Sequence, residues 1–276
     1  MNIISEMLSY PFLVRALAGG MLVSLCASLL GVSLVLKRYS MIGDGLSHVS
    51  FGALSIALAM GWSPLKVSIP VVVLAAFFLL RITENSRIKS DAAIAMISAS
   101  ALSMGIIVTS LTTGMTTDVS SYMFGSILAM SREDVRLAIL LSVVVLGLFL
   151  LCYNKVFAVT FDENFAKATG VNVGAYNIII AVLTAVTIVL GMRMMGAMLI
   201  SSLIIFPCLT SMRAFKSFAG VVISSGVLSV ICFFLGMVVS YQFSTPAGAS
   251  VVMVNLLAFL LFMAWQSLGG GRGKKE

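Results

Sequence analysis

The residues best suited to chemistry are a carboxylate and an imidazole, Asp44 and His48, at the start of an apolar run. Side chains four residues apart lie on one face of a helix, and Ser47 is next to that face. A carboxylate and an imidazole suit zinc, manganese or ferrous iron better than copper(I). The spacing predicts a divalent-metal site. The plainer alternative is that Asp44 caps the helix and His48 hydrogen-bonds a neighbouring helix.

The composition of the chain is that of an integral membrane protein. Of its 276 residues, 60% are hydrophobic and only 10% are charged, and the mean hydropathy is +1.13. Soluble domains are about 25% charged. Ionisable side chains within membrane segments are costly and mark functional sites, which strengthens the interpretation of Asp44 and His48. No stretch is long enough for a separate soluble core, so we expect one transmembrane domain, residues 1–276.

Nine apolar segments are long enough to cross a bilayer as helices, which takes about 17–25 residues. They cover residues 12–36, 44–60, 65–80, 91–112, 135–153, 173–190, 195–212, 218–239 and 249–268. Between the fourth and fifth, we expect a loop with a short re-entrant or surface helix. Prolines predict a bend at Pro70 and a kink or break at Pro207. The predicted fold is all-α, a polytopic helical membrane protein with eight or nine transmembrane helices.

The basic residues predict the orientation of the chain. Nine crossings put the two termini on opposite sides, and twelve of the seventeen Lys and Arg residues fall on one side. Positively charged connections stay in the cytoplasm. We therefore expect the N-terminus outside, and the C-terminus in the cytoplasm with a flexible basic tail at 269–276. No removable signal peptide is expected, and the four isolated cysteines predict packing roles rather than disulfides.

A polar insertion at 154–172 is the second informative stretch. Thr160 and Glu163 have the spacing of a capping box, and Gly170 suits the left-handed position that ends a helix. The side chains on one side of this helix are Phe161, Phe165 and Ala168. A helix this short is marginal in water. We expect a partner protein to order it, with a helix lying on the lipid surface as the alternative.

Four stretches together resemble the ABC-3 metal-permease family, the membrane subunits of bacterial ATP-binding-cassette importers for zinc, manganese and iron. They are residues 37–48, with the pattern Asp-x-x-x-His; 124–134; 162–170, with Asp-Glu-x-x-Ala-x-x-x-Gly; and 196–207. They occur in the family's order, and the resemblance covers essentially the whole chain. It implies the fold of a type II ABC importer permease in a bacterial plasma membrane.

The resemblance also implies a function and partners. The chain would be the permease subunit that moves zinc, manganese or iron into the cytoplasm, working as a homodimer. Two cytoplasmic ATPase subunits would power it, and an extracytoplasmic metal-binding protein would deliver the ion. Asp44 and His48 match the positions that line the metal path, with Ser47 as a further candidate. A coupling helix at 160–171 would dock on the ATPase through Phe161, Asp162, Glu163, Phe165, Ala166 and Gly170.

Two features depart from the family's pattern. Gly45 stands where the family often has Ala, and the chain lacks the further histidines that some members carry. Two ligands are too few for zinc, which usually takes four. Waters, a backbone carbonyl, Ser47 or the second protomer would have to complete the site. Incomplete coordination suits an ion that must leave again.

Two other classes of function stay open. A stand-alone secondary transporter or channel is disfavoured because the chain has no clear inverted repeat and few intramembrane charges. An intramembrane hydrolase pairing His48 with a serine lacks a Gly-x-Ser-x-Gly elbow. Since the sequence contains no phosphate-binding loop, we expect a transport subunit rather than an enzyme. No permanently bound cofactor and no nucleic-acid partner are expected.

Overall fold

A computed structural model of the chain describes residues 3–85, 90–113 and 132–269. These residues form eleven helices and no strand, which confirms the all-α prediction. The helices are α1 (Ile3–Ser9), α2 (Pro11–Leu36), α3 (Ile42–Ala59), α4 (Pro64–Asn85), α5 (Ser90–Thr113), α6 (Arg132–Phe161), α7 (Glu163–Ala168), α8 (Val173–Met195), α9 (Ala197–Ala214), α10 (Phe218–Phe243) and α11 (Ala247–Gly269).

Long apolar helices make up most of the described residues. Eight of them can cross a bilayer by length and composition, namely α2, α3, α5, α6, α8, α9, α10 and α11. Helix α4 has 22 residues, but its apolar part, Pro64–Leu79, is shorter. Eight of the nine predicted spans correspond to these eight helices, and the third, 65–80, lies in α4. The protein is a multi-pass membrane protein. The loop predicted at 112–134 and the tail at 269–276 lie almost entirely outside the described residues.

Several predicted boundaries were wrong, because hydropathy marks where a helix leaves the lipid and not where it ends. Helix α6 continues from the apolar segment through polar residues to Phe161, so the predicted insertion at 154–172 begins as helix. Helix α8 continues past the turn predicted at 191–193 and ends at Met195. The turn lies at Gly196, whose φ of 89° is a conformation that favours glycine.

Pro70 and Pro207 both lie inside helices, and the break predicted as one outcome at Pro207 was wrong. Proline removes one backbone donor and clashes with the preceding turn. Helix α9 nevertheless runs on to Ala214, because it is packed along α2, α10 and α11, which hold the turns before and after the proline.

Helices α2 and α3 occupy the centre of the bundle. Helix α2 packs on α6, α8, α9 and α10, and α3 packs mainly on α4 and α5. Glycines allow these helices to approach closely. A Cβ at Gly31 of α2 would meet the backbone of Ile204 in α9, and one at Gly52 of α3 would lie 2.8 Å from the carbonyl oxygen of Ala101 in α5. Such contacts hold α3 tightly against its neighbours.

A tight turn at 37–41 joins α2 to α3. The amide of Tyr39 donates to the carbonyl of Leu34 at 2.8 Å, and the amide of Arg38 donates to the carbonyl of Val35 at 3.1 Å. This pair of bonds is the Schellman pattern that ends a helix. Arg38 occupies the left-handed position, with a φ of 64°, where glycine is usual. The turn therefore has a defined geometry and rigidly connects the end of α2 to the start of α3.

Candidate functional site

Asp44 and His48 lie side by side near the start of α3. Oδ2 of Asp44 is 3.6 Å from Nε2 of His48, and their side chains are 45% and 18% exposed, respectively. The glycines on either side of Asp44 are buried, as is most of the rest of α3. The two side chains thus meet at an opening in an otherwise enclosed helix.

The helix cap considered for Asp44 is not present. The N-cap position of α3 is Met41, which makes no side-chain cap hydrogen bond, and Asp44 lies in the first turn. A carboxylate in the first turn is favoured by the positive end of the helix dipole. The position therefore favours an ionised Asp44 without using the carboxylate to cap α3.

Ser47 is on the same helix but points away from the opening. Its side chain is fully buried, and its Oγ donates to the carbonyl of Gly43 at 2.6 Å. Within the described ranges, no group of three or more His, Cys, Asp or Glu side chains could hold a metal ion. One chain therefore brings two candidate ligand side chains together here, Asp44 and His48.

Helix α5 forms a wall next to this pair. A Cβ at Gly45 would lie 2.6 Å from Cγ2 of Ile94 in α5, so the glycine allows α5 to close on α3 beside Asp44. Further along the same two helices, Oγ1 of Thr109 donates to Oγ of Ser55 at 3.2 Å. The departure from the family's alanine at Gly45 thus has a local reason, which is the position of Ile94.

The second predicted site, at 160–171, contains a shorter helix than predicted. Helix α7 comprises only Glu163–Ala168. Its N-cap is Asp162, whose carboxylate accepts hydrogen bonds from the amides of Asn164 and Phe165, both at 2.9 Å. Gly170 has a φ of 82°, as expected for the residue that follows a helix end.

The capping box predicted from Thr160 was wrong. Thr160 belongs to α6, where its Oγ1 donates to the carbonyl of Val156 at 2.7 Å. Aspartate caps a helix as well as threonine does, and Asp162 is the residue directly before α7. Thr160 and Asp162 are both suitable N-cap residues. Which of them caps α7 depends on the residue at which α6 ends.

One side of α7 is packed and the other is open. Ala166 is fully buried and forms a small apolar cluster with Val159 of α6 and Val173 of α8. Phe165 is 64% exposed. Phe161 is also exposed but is the last residue of α6, and its ring centroid lies 5.8 Å from that of Phe218. Two uncovered aromatic rings therefore lie at this end of the bundle, although on separate helices.

Lys37, Glu163 and Asn177 form a polar cluster that the sequence did not reveal. Nζ of Lys37 lies 2.8 Å from Oε1 of Glu163 and 2.5 Å from Oδ1 of Asn177. Nδ2 of Asn177 donates to Oε1 of Glu163 at 3.3 Å. The partners of Lys37 lie more than a hundred residues away along the chain, so no local spacing could have identified them. The one sequence feature that could have drawn attention to Lys37 is its position directly after a long apolar helix.

The cluster keeps Glu163 ionised. Burial by itself raises the pKa of this carboxyl group, but the hydrogen bond and charge of Lys37, with the Asn177 amide, outweigh burial and hold the pKa below its ordinary value. The Lys37 side chain is only 10% exposed. A buried ammonium is costly unless it is paired and hydrogen-bonded, as it is here.

Comparisons with known proteins agree with this architecture. The profile of the ABC 3 transport family matches residues 9–266. The manganese import system permease protein ScaB of Streptococcus gordonii is 29% identical, over 91% of this chain and 90% of that protein. The high-affinity zinc uptake system membrane protein ZnuB of Haemophilus influenzae is 27% identical, over 91% and 97%. The solved structure of PsaBC from Streptococcus pneumoniae in complex with Fab matches with a TM-score of 0.84 and 29% identity, covering 95% of this chain and 94% of that chain.

Proposed function

Because the chain belongs to the ABC 3 transport family, we propose that it is the permease subunit of an ATP-binding-cassette importer that carries zinc or manganese into the cytoplasm. The observation that carries the proposal is the pair of Asp44 and His48 at an opening of α3, with ligand atoms 3.6 Å apart. The names of the relatives support zinc and manganese, and ferrous iron fits the same donor chemistry.

The spacing of the pair suits a shared ion. Two ligand atoms that each lie about 2.1 Å from a tetrahedral zinc are about 3.4 Å apart. Oδ2 of Asp44 and Nε2 of His48, at 3.6 Å, can therefore bind one ion with little rearrangement. The remaining positions would be filled by waters, a backbone carbonyl or a second copy of the chain. Partial coordination of this kind holds the ion weakly enough for release.

Contacts at one end of the bundle support a cytoplasmic position for that end. The ion pair of Lys37 with Glu163 brings the α2–α3 turn next to α7. The ring contact of Phe161 with Phe218 brings the start of α10 to the same end, next to Lys216 of the α9–α10 connection and Arg213 at the end of α9. Connections rich in Lys and Arg stay in the cytoplasm, so this end is proposed to face the cytoplasm.

Two further contacts support termini on opposite sides. Arg213, at the end of α9, lies over the ring of Phe259 and donates to Oε1 of Gln266 in the last turn of α11. Tyr241, at the far end of α10, lies against Glu6 of α1. The C-terminal end of α11 is therefore proposed to be cytoplasmic and the N-terminal helix extracytoplasmic.

Helix α7 is the proposed docking element for a separate ATPase subunit. Its exposed Phe165 and the neighbouring Phe161 offer aromatic surface to a partner. The sequence contains no phosphate-binding loop, so the ATPase activity must come from another chain. We propose two permease copies, two ATPase subunits and an extracytoplasmic metal-binding protein as the working assembly.

Metal uptake in cells that depend on this importer tests the metal site. D44A and H48A are expected to reduce zinc or manganese uptake to background, because each leaves a single side-chain ligand. The matched control is E133A, which removes an exposed carboxylate at the start of α6. Membrane levels of all three proteins are measured alongside. Normal uptake by both D44A and H48A at normal protein levels would rule out the assigned site.

Co-purification from native membranes in mild detergent tests the partner. The wild-type chain is expected to retain an ATPase subunit, and F165A to lose it. Phe165 is a cleaner probe than Phe161, whose ring also supports Phe157 and Phe218. The control F243A removes an equally exposed ring at the other end of α10. The proposal would be replaced by a self-contained transporter if the wild-type preparation contained no ATPase and still carried metal into vesicles when driven by a proton or sodium gradient.

A further inference from the structure

The cluster of Lys37, Glu163 and Asn177 joins three elements that are distant in sequence. Lys37 directly follows α2, Glu163 is the first residue of α7, and Asn177 lies in the second turn of α8. Lys37 and Asn177 are 10% and 7% exposed. Removing one partner of a buried charge leaves the others uncompensated. The three side chains therefore act as a unit, and a displacement of one is resisted by the other two.

The ion pair gives α7 a connection that its apolar contacts do not provide. The apolar cluster around Ala166 joins α7 to Val159 and Val173, which belong to the helices next to it in the chain. The bond from Lys37 to Glu163 instead reaches across to the end of α2, 126 residues away in sequence. A motion of α7 relative to the bundle therefore acts directly on Lys37.

The chain from Lys37 onward leads straight to the candidate metal ligands. The α2–α3 turn is closed by backbone bonds from Arg38 and Tyr39 to the last turn of α2, with Arg38 in the left-handed conformation. Residues other than glycine seldom adopt this backbone conformation, so the surrounding hydrogen bonds must hold the turn in one defined shape. Asp44 is in the first turn of α3, immediately after it. A shift of Lys37 is thereby passed to the ligand-bearing end of α3.

We propose that Lys37 is a positioning residue that transmits movement of the ATPase-docking helix α7 to the metal-binding end of α3, through its bonds to Glu163 and Asn177. The inference rests on the proposed function, since it requires both the ATPase and the transported ion. In this arrangement, ATP-driven movement of α7 changes the position of Asp44 relative to the groups that complete the metal site.

The test uses the full permease–ATPase complex in proteoliposomes, with zinc or manganese as the probe. Three quantities are measured: the amount of ATPase retained, the rate of ATP hydrolysis, and the number of ions transported per ATP. The variants are K37Q and E163Q, and the control is K155Q, which removes an exposed charge near the C-terminal end of α6. Loss of a residue with a purely structural role would lower the retained ATPase, the rate of ATP hydrolysis and the number of ions per ATP together. Loss of a transmitting residue lowers only the number of ions per ATP.

We expect K37Q to retain the ATPase and to hydrolyse ATP, while the number of ions per ATP falls by about fivefold to tenfold. E163Q changes α7 itself, so its ratio is measured per ATPase retained and is expected to fall by the same factor. K155Q should keep the wild-type ratio. The charge exchange K37E/E163K should recover much of the lost ratio, because the pair is re-formed. The Asn177 amide can turn to offer its other end to each exchanged partner.

Three results would overturn the inference. They are a wild-type ratio in both single variants, loss of the ATPase from K37Q, or an exchange variant no better coupled than K37Q. If E163Q does not fold, because it leaves the buried ammonium of Lys37 without its counter-ion, K37Q decides, since the Glu163 carboxylate that it leaves is 46% exposed and can be hydrated. A wild-type complex that transports no metal with ATP would contradict the proposed function itself, which separates that failure from failure of the link.

Discussion

Two glycines of α3 pack against α5, one facing a side chain and the other facing the backbone. A Cβ at Gly45 would lie 2.6 Å from a side-chain methyl group, Cγ2 of Ile94. A Cβ at Gly52 would lie 2.8 Å from the backbone carbonyl oxygen of Ala101. The Ile94 methyl group can be displaced by a change of χ1, which a β-branched side chain resists, whereas a backbone carbonyl moves only with its whole helix. The variants G45A and G52A therefore add the same methyl group, in one case against a movable side chain and in the other against a fixed backbone.

The magnitudes follow from two competing effects. Alanine stabilises a helix interior by about 1 kcal/mol relative to glycine, and overpacking a closely packed interior costs about 1–3 kcal/mol. At Gly45, where Ile94 can yield, the two effects nearly cancel, and we expect a net loss of about 0–1 kcal/mol. At Gly52, where α5 must move, we expect a net loss of about 2 kcal/mol.

Thermal unfolding of the detergent-solubilised protein measures both variants. A loss of 1 kcal/mol lowers the midpoint of a protein this large by about 2–4 °C, so G52A should unfold about 4–8 °C below wild type. G45A should lie within about 4 °C of wild type. Adding I94L, which removes the Cγ2 methyl group but keeps the side-chain volume, should restore G45A and leave G52A unchanged. A G52A protein as stable as wild type, or an I94L change that helps both variants equally, would refute this reasoning.

Two further predictions concern the end of the bundle that carries α7. D162A should cost about 1 kcal/mol of local stability in α7 by removing its N-cap, seen as faster hydrogen exchange at the amides of Asn164 and Phe165, while D162N should retain the cap and exchange slowly. The folded pKa of Glu163 lies below its ordinary value. The stability that its ion pair contributes is therefore fully present above the pKa of an unperturbed glutamate, about 4.3. This stability is lost as the pH falls through the lowered folded pKa. The difference in thermal midpoint between wild type and E163Q should stay constant near neutral pH and shrink only below about pH 4; a difference that disappears near pH 6 would contradict this assignment.

The transmembrane helices were predictable because a bilayer leaves the backbone few options. Every backbone polar group in lipid must be bonded internally, so a long apolar segment has to be a helix. The adjacency of Asp44 and His48 was predictable for a similar reason, because it depends only on the pitch of one helix. Both features are decided locally, within a window of residues that the sequence shows directly.

The features that could not be predicted depend on contacts between distant segments or on competing local signals. Nothing near Lys37 indicates that its partners are Glu163 and Asn177. The start of α7 was misplaced because Thr160 and Asp162 are both good caps, and the choice depends on how far α6 extends. The role of Gly45 is visible only once Ile94 is seen beside it.

The placement of both proposed ligands on one helix limits how the proposed importer would release its ion. Asp44 and His48 belong to consecutive turns of α3, so their 3.6 Å separation is set by the helix and does not change when the helix moves as a body. A change in metal affinity must therefore come from the ligands that α3 does not supply. Movement of the ligand-bearing end of α3 relative to those groups would strip the ion down to two ligands, which is too few to hold it.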